Sequence, residues 1–122
     1  MGPRAATSAL VASISAEGYD TVAAPCGHAL VDLAHRDPRI QGLSADLAKY
    51  TDMHISARAM PERFHKMGMA DQLLMSAAAG LACRGFMPFA TTYAVFASRR
   101  ACDFIAIAAE NLPVCICCPW RA

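Results

Sequence analysis

The sequence predicts an α/β domain, a mostly parallel sheet flanked by helices, and three observations carry that expectation. Helical and strand-like patterns alternate from Pro25 to Cys118, the order that builds a parallel sheet between layers of helix. The strand-like runs are short and largely apolar, as in Arg39-Ile40-Gln41-Gly42-Leu43 and in Leu112 to Cys118. The length, 122 residues, is enough for one domain with a real core and too little for a second of similar size.

Met1 to Asp20 are small and polar with no firm period and read as a mobile leader, which leaves 21–122 as the domain. Pro25 to Arg36 (PCGHALVDLAHR) fits a helix: Pro25 suits its first turn, and Leu30, Leu33 and Ala34 share one side at spacings of three and four. His28, in that first turn, is expected to be structural or to face solvent. Asp37-Pro38 stops the helix. The strand Arg39 to Leu43 leads into Ser44-Ala45-Asp46-Leu47, where Asp46 has the chemistry of a cap for the next turn. Met53 to Met60 is a short helical segment that ends before Pro61, and Arg63 to Met67 is the next strand.

At Gly68-Met69-Ala70-Asp71-Gln72 the strand stops at a glycine and a long helical pattern begins, with one carboxylate at the join. Asp71 is favoured there by the helix dipole alone. From Asp71 to Arg84, three of the four stripes are apolar or small: Leu73, Ala77, Leu81; Leu74, Ala78, Ala82; and Met75, Ala79, Cys83. Such a helix is expected to be covered on nearly every side. Gly80 in its interior costs about 1 kcal/mol against alanine, which implies a very close contact, with the chain's own sheet or with a partner chain.

Arg84-Gly85 ends this helix, and Phe86 to Tyr93 resumes as a strand with a proline near its start. Ala94 to Asn111 reads as one further helix, with Val95, Ile105, Ala108 and Leu112 near one face. Arg99, Arg100 and Asp103 form its solvated face, where an Arg99 to Asp103 pair would contribute about a few tenths of a kcal/mol. Leu112 to Cys118 (LPVCICC) is the last strand.

Composition narrows the function. A net charge of +1 with 17% charged residues gives no basic stripe and no acidic tail, so neither nucleic acid nor an anionic membrane has electrostatic support as a partner. An apolar fraction of 56% with mean hydropathy +0.30 implies that another chain covers part of the surface. Asp71, Arg84, Asp103 and Glu110 interrupt every candidate membrane span, and Thr7, Ser8, Ser13 and Ser15 dilute the run Ala5 to Ala16 below a signal-peptide core. A soluble, cytoplasmic protein is expected. The six cysteines, Cys26, Cys83, Cys102, Cys115, Cys117 and Cys118, lie in helix-like and strand-like contexts and read as reduced, buried thiols. C-x-C-C at Cys115 to Cys118 lacks the paired C-x-x-C spacing and a nearby histidine, so no metal site is expected.

Four motifs act as a set: Ser44-Ala45-Asp46-Leu47; Gly68-Met69-Ala70-Asp71-Gln72, with a helix after it ending Ala79-Gly80-Leu81-Ala82; Thr91-Thr92-Tyr93-Ala94-Val95-Phe96; and Arg99-Arg100-Ala101-Cys102-Asp103. Over about Ala24 to Leu112 they resemble the pyrimidine-binding domain of the transketolase family, in the type encoded apart from the diphosphate-binding part. In that family the join reads G-I-A-E-Q. Deoxyxylulose-phosphate synthases and the β chains of 2-oxoacid dehydrogenases are related alternatives.

The resemblance implies the three-layer thiamine diphosphate-binding fold and, for the residues, a set of roles. Asp71 stands where a glutamate hydrogen-bonds N1' of the cofactor's aminopyrimidine ring and assists its tautomerisation, general acid catalysis on a cofactor that carries the organic chemistry. Tyr93 and Phe96 stand where aromatic side chains stack on that ring, though ordinary core packing would also account for both. Asp46 and Leu47 stand where the family approaches the cofactor at a subunit boundary. The implied reaction moves a two-carbon ketol unit between sugar phosphates. The G-D-G and downstream asparagine that hold Mg²⁺ and the diphosphate are not in this sequence, so a diphosphate-binding partner chain is expected to supply them, in a homo- or hetero-oligomer such as a dimer. The family pattern also continues beyond this chain's last strand, so the domain reads as incomplete at its C-terminus and inactive alone. The alternative of a different class is a truncated or degenerate member that no longer catalyses.

Overall fold

The structure is a computed structural model and describes residues 24–110 and 113–118. The expectations for Met1 to Asp20, for a helix end at Asn111 and for a strand start at Leu112 lie outside the described residues. Four strands, β1 (Ile40–Ser44), β2 (Phe64–Lys66), β3 (Met87–Thr91) and β4 (Cys115–Cys117), form one parallel sheet in the order β2-β1-β3-β4. The helices are α1 (Pro25–Arg36), α2 (His54–Ala59), α3 (Asp71–Cys83) and α4 (Cys102–Ala109).

Strand alternation divides the core into two halves. On one side Ile40 packs with Leu30, Ala34, Met53 and Met60 beneath α1 and α2; on the other Leu43, Ala45 and Ala90 pack with Leu74, Met75, Ala78 and Ala101 beneath α3 and α4. The result is the expected three-layer α/β fold, and β1, paired on both sides, is buried at all five residues. Packing of α1 on α2 depends on Gly27: a Cβ there would run into the Asp52 carbonyl oxygen and lie 3.1 Å from Ile55 Cβ. Ser56 Oγ donates to Gly27 O at 3.2 Å across this contact. Among the described residues no helix is long and apolar enough to cross a membrane.

Three expectations are corrected. First, the chain's own fold does not cover α3 all round: it buries Asp71, Leu74, Met75, Ala78 and Ala82 but leaves Leu73 55% exposed, so the cover expected on that stripe is left to a partner chain. Gly80 makes no close contact with the chain's own sheet, since a Cβ there would meet nothing within 4 Å. Gly80→Ala is therefore expected to stabilise the isolated chain by about 1 kcal/mol, read as a raised urea midpoint; a lowered midpoint would mean the open space is not there.

Second, Ala94 to Asn111 is not one helix. Phe96–Arg100 forms a π-helical turn, closed by Ala101 N donating to Phe96 O at 3.2 Å, after which α4 starts afresh. The wider turn shifts the helical phase of the residues after it, so Val95 is left exposed instead of joining Ile105 and Ala108. Third, the cysteines are free, but none of the six is fully buried: Cys83 and Cys102 are exposed, and the other four are half-buried. Cys83 lies in the last turn of α3 and Cys102 in the first turn of α4, both turned to solvent.

Candidate functional site

Because β2 and β3 lie on opposite sides of β1, the segments leaving β1 and β3 run to opposite faces of the sheet and open a crevice at the strands' C-terminal ends, where open α/β sheets bind ligands. The crevice is a cavity of about 300 Å³ lined by Ala45, Asp46 and Leu47 after β1, by Met69 and Asp71 at the join to α3, and by Phe96 and Arg100 of the π turn. That is the lower end of small-ligand site volumes.

Asp71 is the most constrained of these side chains. Gly68, at φ +71°, turns the chain between β2 and α3 through the left-handed region. Asp71 then begins α3 with 2% of its surface exposed. Its Oδ1 accepts from Thr92 Oγ1 at 2.6 Å, and its Oδ2 accepts from Arg100 Nη1 at 3.1 Å. A carboxylate this buried needs such donors. Thr92 is itself fully buried just beyond β3, so the acid's position is fixed by the sheet end rather than by a mobile loop.

Phe96 forms the flat wall. The guanidinium carbon of Arg100 lies 4.4 Å from its ring centroid, within cation–π range. The backbone of Arg100 is tied to α3 by Gln72 Nε2, which donates to Arg100 O at 3.1 Å. Asp46 does not cap the following turn; it pairs with Lys66 Nζ at 2.8 Å. That turn is held instead by Thr51, whose Oγ1 and N both donate to Leu47 O.

Of the residues singled out in the sequence, the structure brings Asp71, Phe96, Asp46 and Leu47 to one cavity. It sets Tyr93 aside from the cavity wall, with its ring centroid 6.0 Å from that of Phe96 at 41°. Sequence reasoning missed Thr92 and Arg100. Both stand inside the family motifs, yet a threonine beside an aromatic and a second arginine in a charged run carry no sign of a buried carboxylate partner. Arg99, Arg100 and Asp103 do not all stay on a solvated face: the π turn directs Arg100 to Asp71. Among the described residues no group of three or more His, Cys, Asp or Glu side chains is placed to hold a metal ion.

A second, wholly apolar cavity of about 170 Å³ lies between α1 and the sheet, with Cys26 and Cys117 in its wall. The neighbouring Cys117 thiol group, as a hydrogen-bonding partner, brings Cys26 down to about 7 against burial and the Asp52 carboxylate, while Cys117 is pushed far up by Cys26 and by burial. The Cys26 thiolate fraction therefore rises with pH through about 7. Peptide mapping after brief iodoacetamide treatment is expected to show Cys26 alkylation climbing between pH 6 and pH 8, in roughly the window set by that midpoint, with Cys117 unmodified. Equal labelling of the two would contradict that difference.

The profile of the family described as "Transketolase, pyrimidine binding domain" matches residues 20–118. The chain belongs to this family. It is 59% identical over 118 residues to the uncharacterized transketolase family protein y4mN of Sinorhizobium fredii, covering 95% of this chain and 34% of that one. It is 38% identical over 92 residues to a 1-deoxy-D-xylulose-5-phosphate synthase of Microcystis aeruginosa, covering 75% of this chain and 14% of that enzyme. Among solved structures it resembles a split gene transketolase, described as an inactive beta4 tetramer, with TM-score 0.67 and 47% identity over 75% of this chain and 31% of that one. The chain thus spans about a third of the transketolase relatives it matches and less of the synthase.

Within the transketolase pyrimidine-binding family, this chain has an aspartate at position 71 where the motif G-I-A-E-Q carries glutamate. The residues present fit half of a thiamine diphosphate molecule: one buried carboxylate for a ring nitrogen, one flat aromatic wall at Phe96 and an apolar rim at Leu47 and Met69.

Proposed function

We propose that this chain is the pyrimidine-binding subunit of a thiamine diphosphate-dependent transketolase, acting with a diphosphate-binding chain that holds Mg²⁺ in a cytoplasmic oligomer. The observation that carries this reading is Asp71: a carboxylate with 2% exposure, fixed by Thr92 and facing the same cavity as Phe96. When bound, the cofactor would supply a stabilised carbanion for moving a two-carbon ketol unit between sugar phosphates. The chain's own residues bind and orient. Asp71 offers its carboxyl group to a ring nitrogen; Phe96 stacks, backed by Tyr93; Leu47 and Met69 supply an apolar rim; Asp46, held by Lys66, lies beside them.

The partner chain is supported by two findings. Leu73, Met69, Val95 and Ile107 are large apolar side chains left exposed on α3, α4 and the segments that precede them, surface that a partner chain would cover. The solved relative is a split gene transketolase. A second reading, a deoxyxylulose-phosphate synthase-like enzyme, is favoured by the 38% identity to that synthase.

The test is reconstitution. The chain is mixed with a diphosphate-binding transketolase chain, thiamine diphosphate and Mg²⁺, and ketol transfer from a ketose phosphate to an aldose phosphate is followed. Transfer that needs both chains supports the proposal. Condensation of pyruvate with glyceraldehyde phosphate, without ketol transfer, would favour the second reading. An assembled pair that does neither would identify a member that no longer catalyses.

A further inference from the structure

Arg100 makes two contacts that bear on the crevice, and the same group makes both. Its guanidinium is planar and cationic. Through Nη1 it donates to Asp71 Oδ2 at 3.1 Å, and its Cζ lies 4.4 Å from the Phe96 ring centroid. A flat nitrogen heteroaromatic ring entering this cavity would need the same two features: a carboxylate oxygen in its edge and an aromatic face against its plane. The chain's own side chain therefore stands in the position, and offers the chemistry, of the ligand's ring. We propose that Arg100 is an internal occupant of the crevice, a latch that must swing out before a flat heteroaromatic ring can bind, and that it sets the affinity for that ring. The inference rests on reading the crevice as a ring-binding site.

The surroundings allow the movement. The Arg100 side chain is 53% exposed, so its cation can return to water, whereas Asp71 keeps the Thr92 hydroxyl on Oδ1 when Oδ2 is released. The Gln72 amide grips the backbone carbonyl of Arg100 rather than its side chain, so the π turn and α4 need not shift when the guanidinium leaves. Asp71 and Asp46 are the acidic residues among the cavity's lining, and Asp46 is paired with Lys66. Asp71 is thus the one lining carboxylate for which Arg100 and an incoming ring would compete.

A ligand whose binding-competent state is only fractionally populated loses affinity by that fraction. If the latch is closed about nine-tenths of the time, ring binding is weakened roughly tenfold. The test is an NMR titration of the full chain with 4-aminopyrimidine, the ring without its diphosphate, following the Phe96 ring protons and the Arg100 guanidinium protons. Wild type, Arg100→Ala, Arg100→Gln and Asp71→Ala are compared. Arg100→Gln keeps a planar amide donor for the buried carboxylate, and it carries the comparison if the alanine variant does not fold.

The expected result is a Kd lowered roughly tenfold in Arg100→Ala and by less in Arg100→Gln. In wild type the Arg100 guanidinium resonance should lose its Asp71-dependent shift in step with the Phe96 change. If binding depends on Asp71 but is unchanged or weaker without Arg100, the latch is overturned and the ring site stands. If no variant shows Asp71-dependent binding, the ring site falls and the latch falls with it.

Discussion

Replacing Asp71 with alanine is expected to lower ketol transfer by the reconstituted pair by roughly 10²–10⁴-fold, the usual contribution of a positioned acid or base. The same substitution leaves the buried Thr92 hydroxyl and the Arg100 guanidinium without their carboxylate. Folding stability should therefore fall too, by about 1–3 kcal/mol for the orphaned buried donor. Rates are best compared well below the melting transition, with assembly checked by sedimentation. Asp71→Glu is the informative companion. One added methylene advances the carboxyl by about 1.5 Å, and a misplacement of about 1 Å can cost a hundredfold. If the aspartate falls short of the ring, glutamate raises the rate; if the crevice has adjusted to the shorter acid, glutamate lowers it. A rate unchanged by Asp71→Ala in an active pair would remove Asp71 from the chemistry altogether.

The fold was largely legible because its signals are local. Pro25 fixed the start of α1, Asp37-Pro38 its end, and Gly68 the turn before α3, and each is found where the sequence predicts. The features that were not legible depend on phase or on distance. The π turn at Phe96–Arg100 adds a residue to one helical turn without changing composition, so a period of 3.6 fitted across it assigns Val95 to the wrong face. Arg100 belongs to the site only because that turn directs it at an acid 29 positions earlier in the chain. Thr92 and Asp71 meet because β3 and the β2–α3 join lie at the same, C-terminal end of the parallel strands, a fact of topology rather than of sequence neighbourhood. The motif resemblance pointed to Asp71 and Phe96, which line one cavity; it did not say which of the chain's own groups would hold the acid.

Adjacent leucines in α3 give the sharpest test of packing. Leu74 has none of its surface exposed and packs in the cluster with Leu43, Met75, Ala78 and Ala90 between α3 and the sheet. Leu74→Ala is expected to cost about 2–5 kcal/mol, the lost transfer energy plus the cavity left behind. Against a total stability of about 5–15 kcal/mol for a domain, that leaves part of the population unfolded at moderate urea. Leu73, 55% exposed on the next stripe, should lose no more than about 0.5 kcal/mol on the same change in the isolated chain. The periodicity could not rank the two, because the stripe of Leu73, Ala77 and Leu81 is at least as apolar as that of Leu74, Ala78 and Ala82 and only the direction of the sheet distinguishes them. Urea midpoints of the isolated chain decide it, and equal losses would mean that the face of α3 against the sheet has been misassigned. Repeating Leu73→Ala with the diphosphate-binding chain present separates burial by the fold from burial by assembly. A loss of affinity for the partner without loss of monomer stability would make this exposed leucine an interface residue, which accounts for a helix more apolar than its own sheet requires.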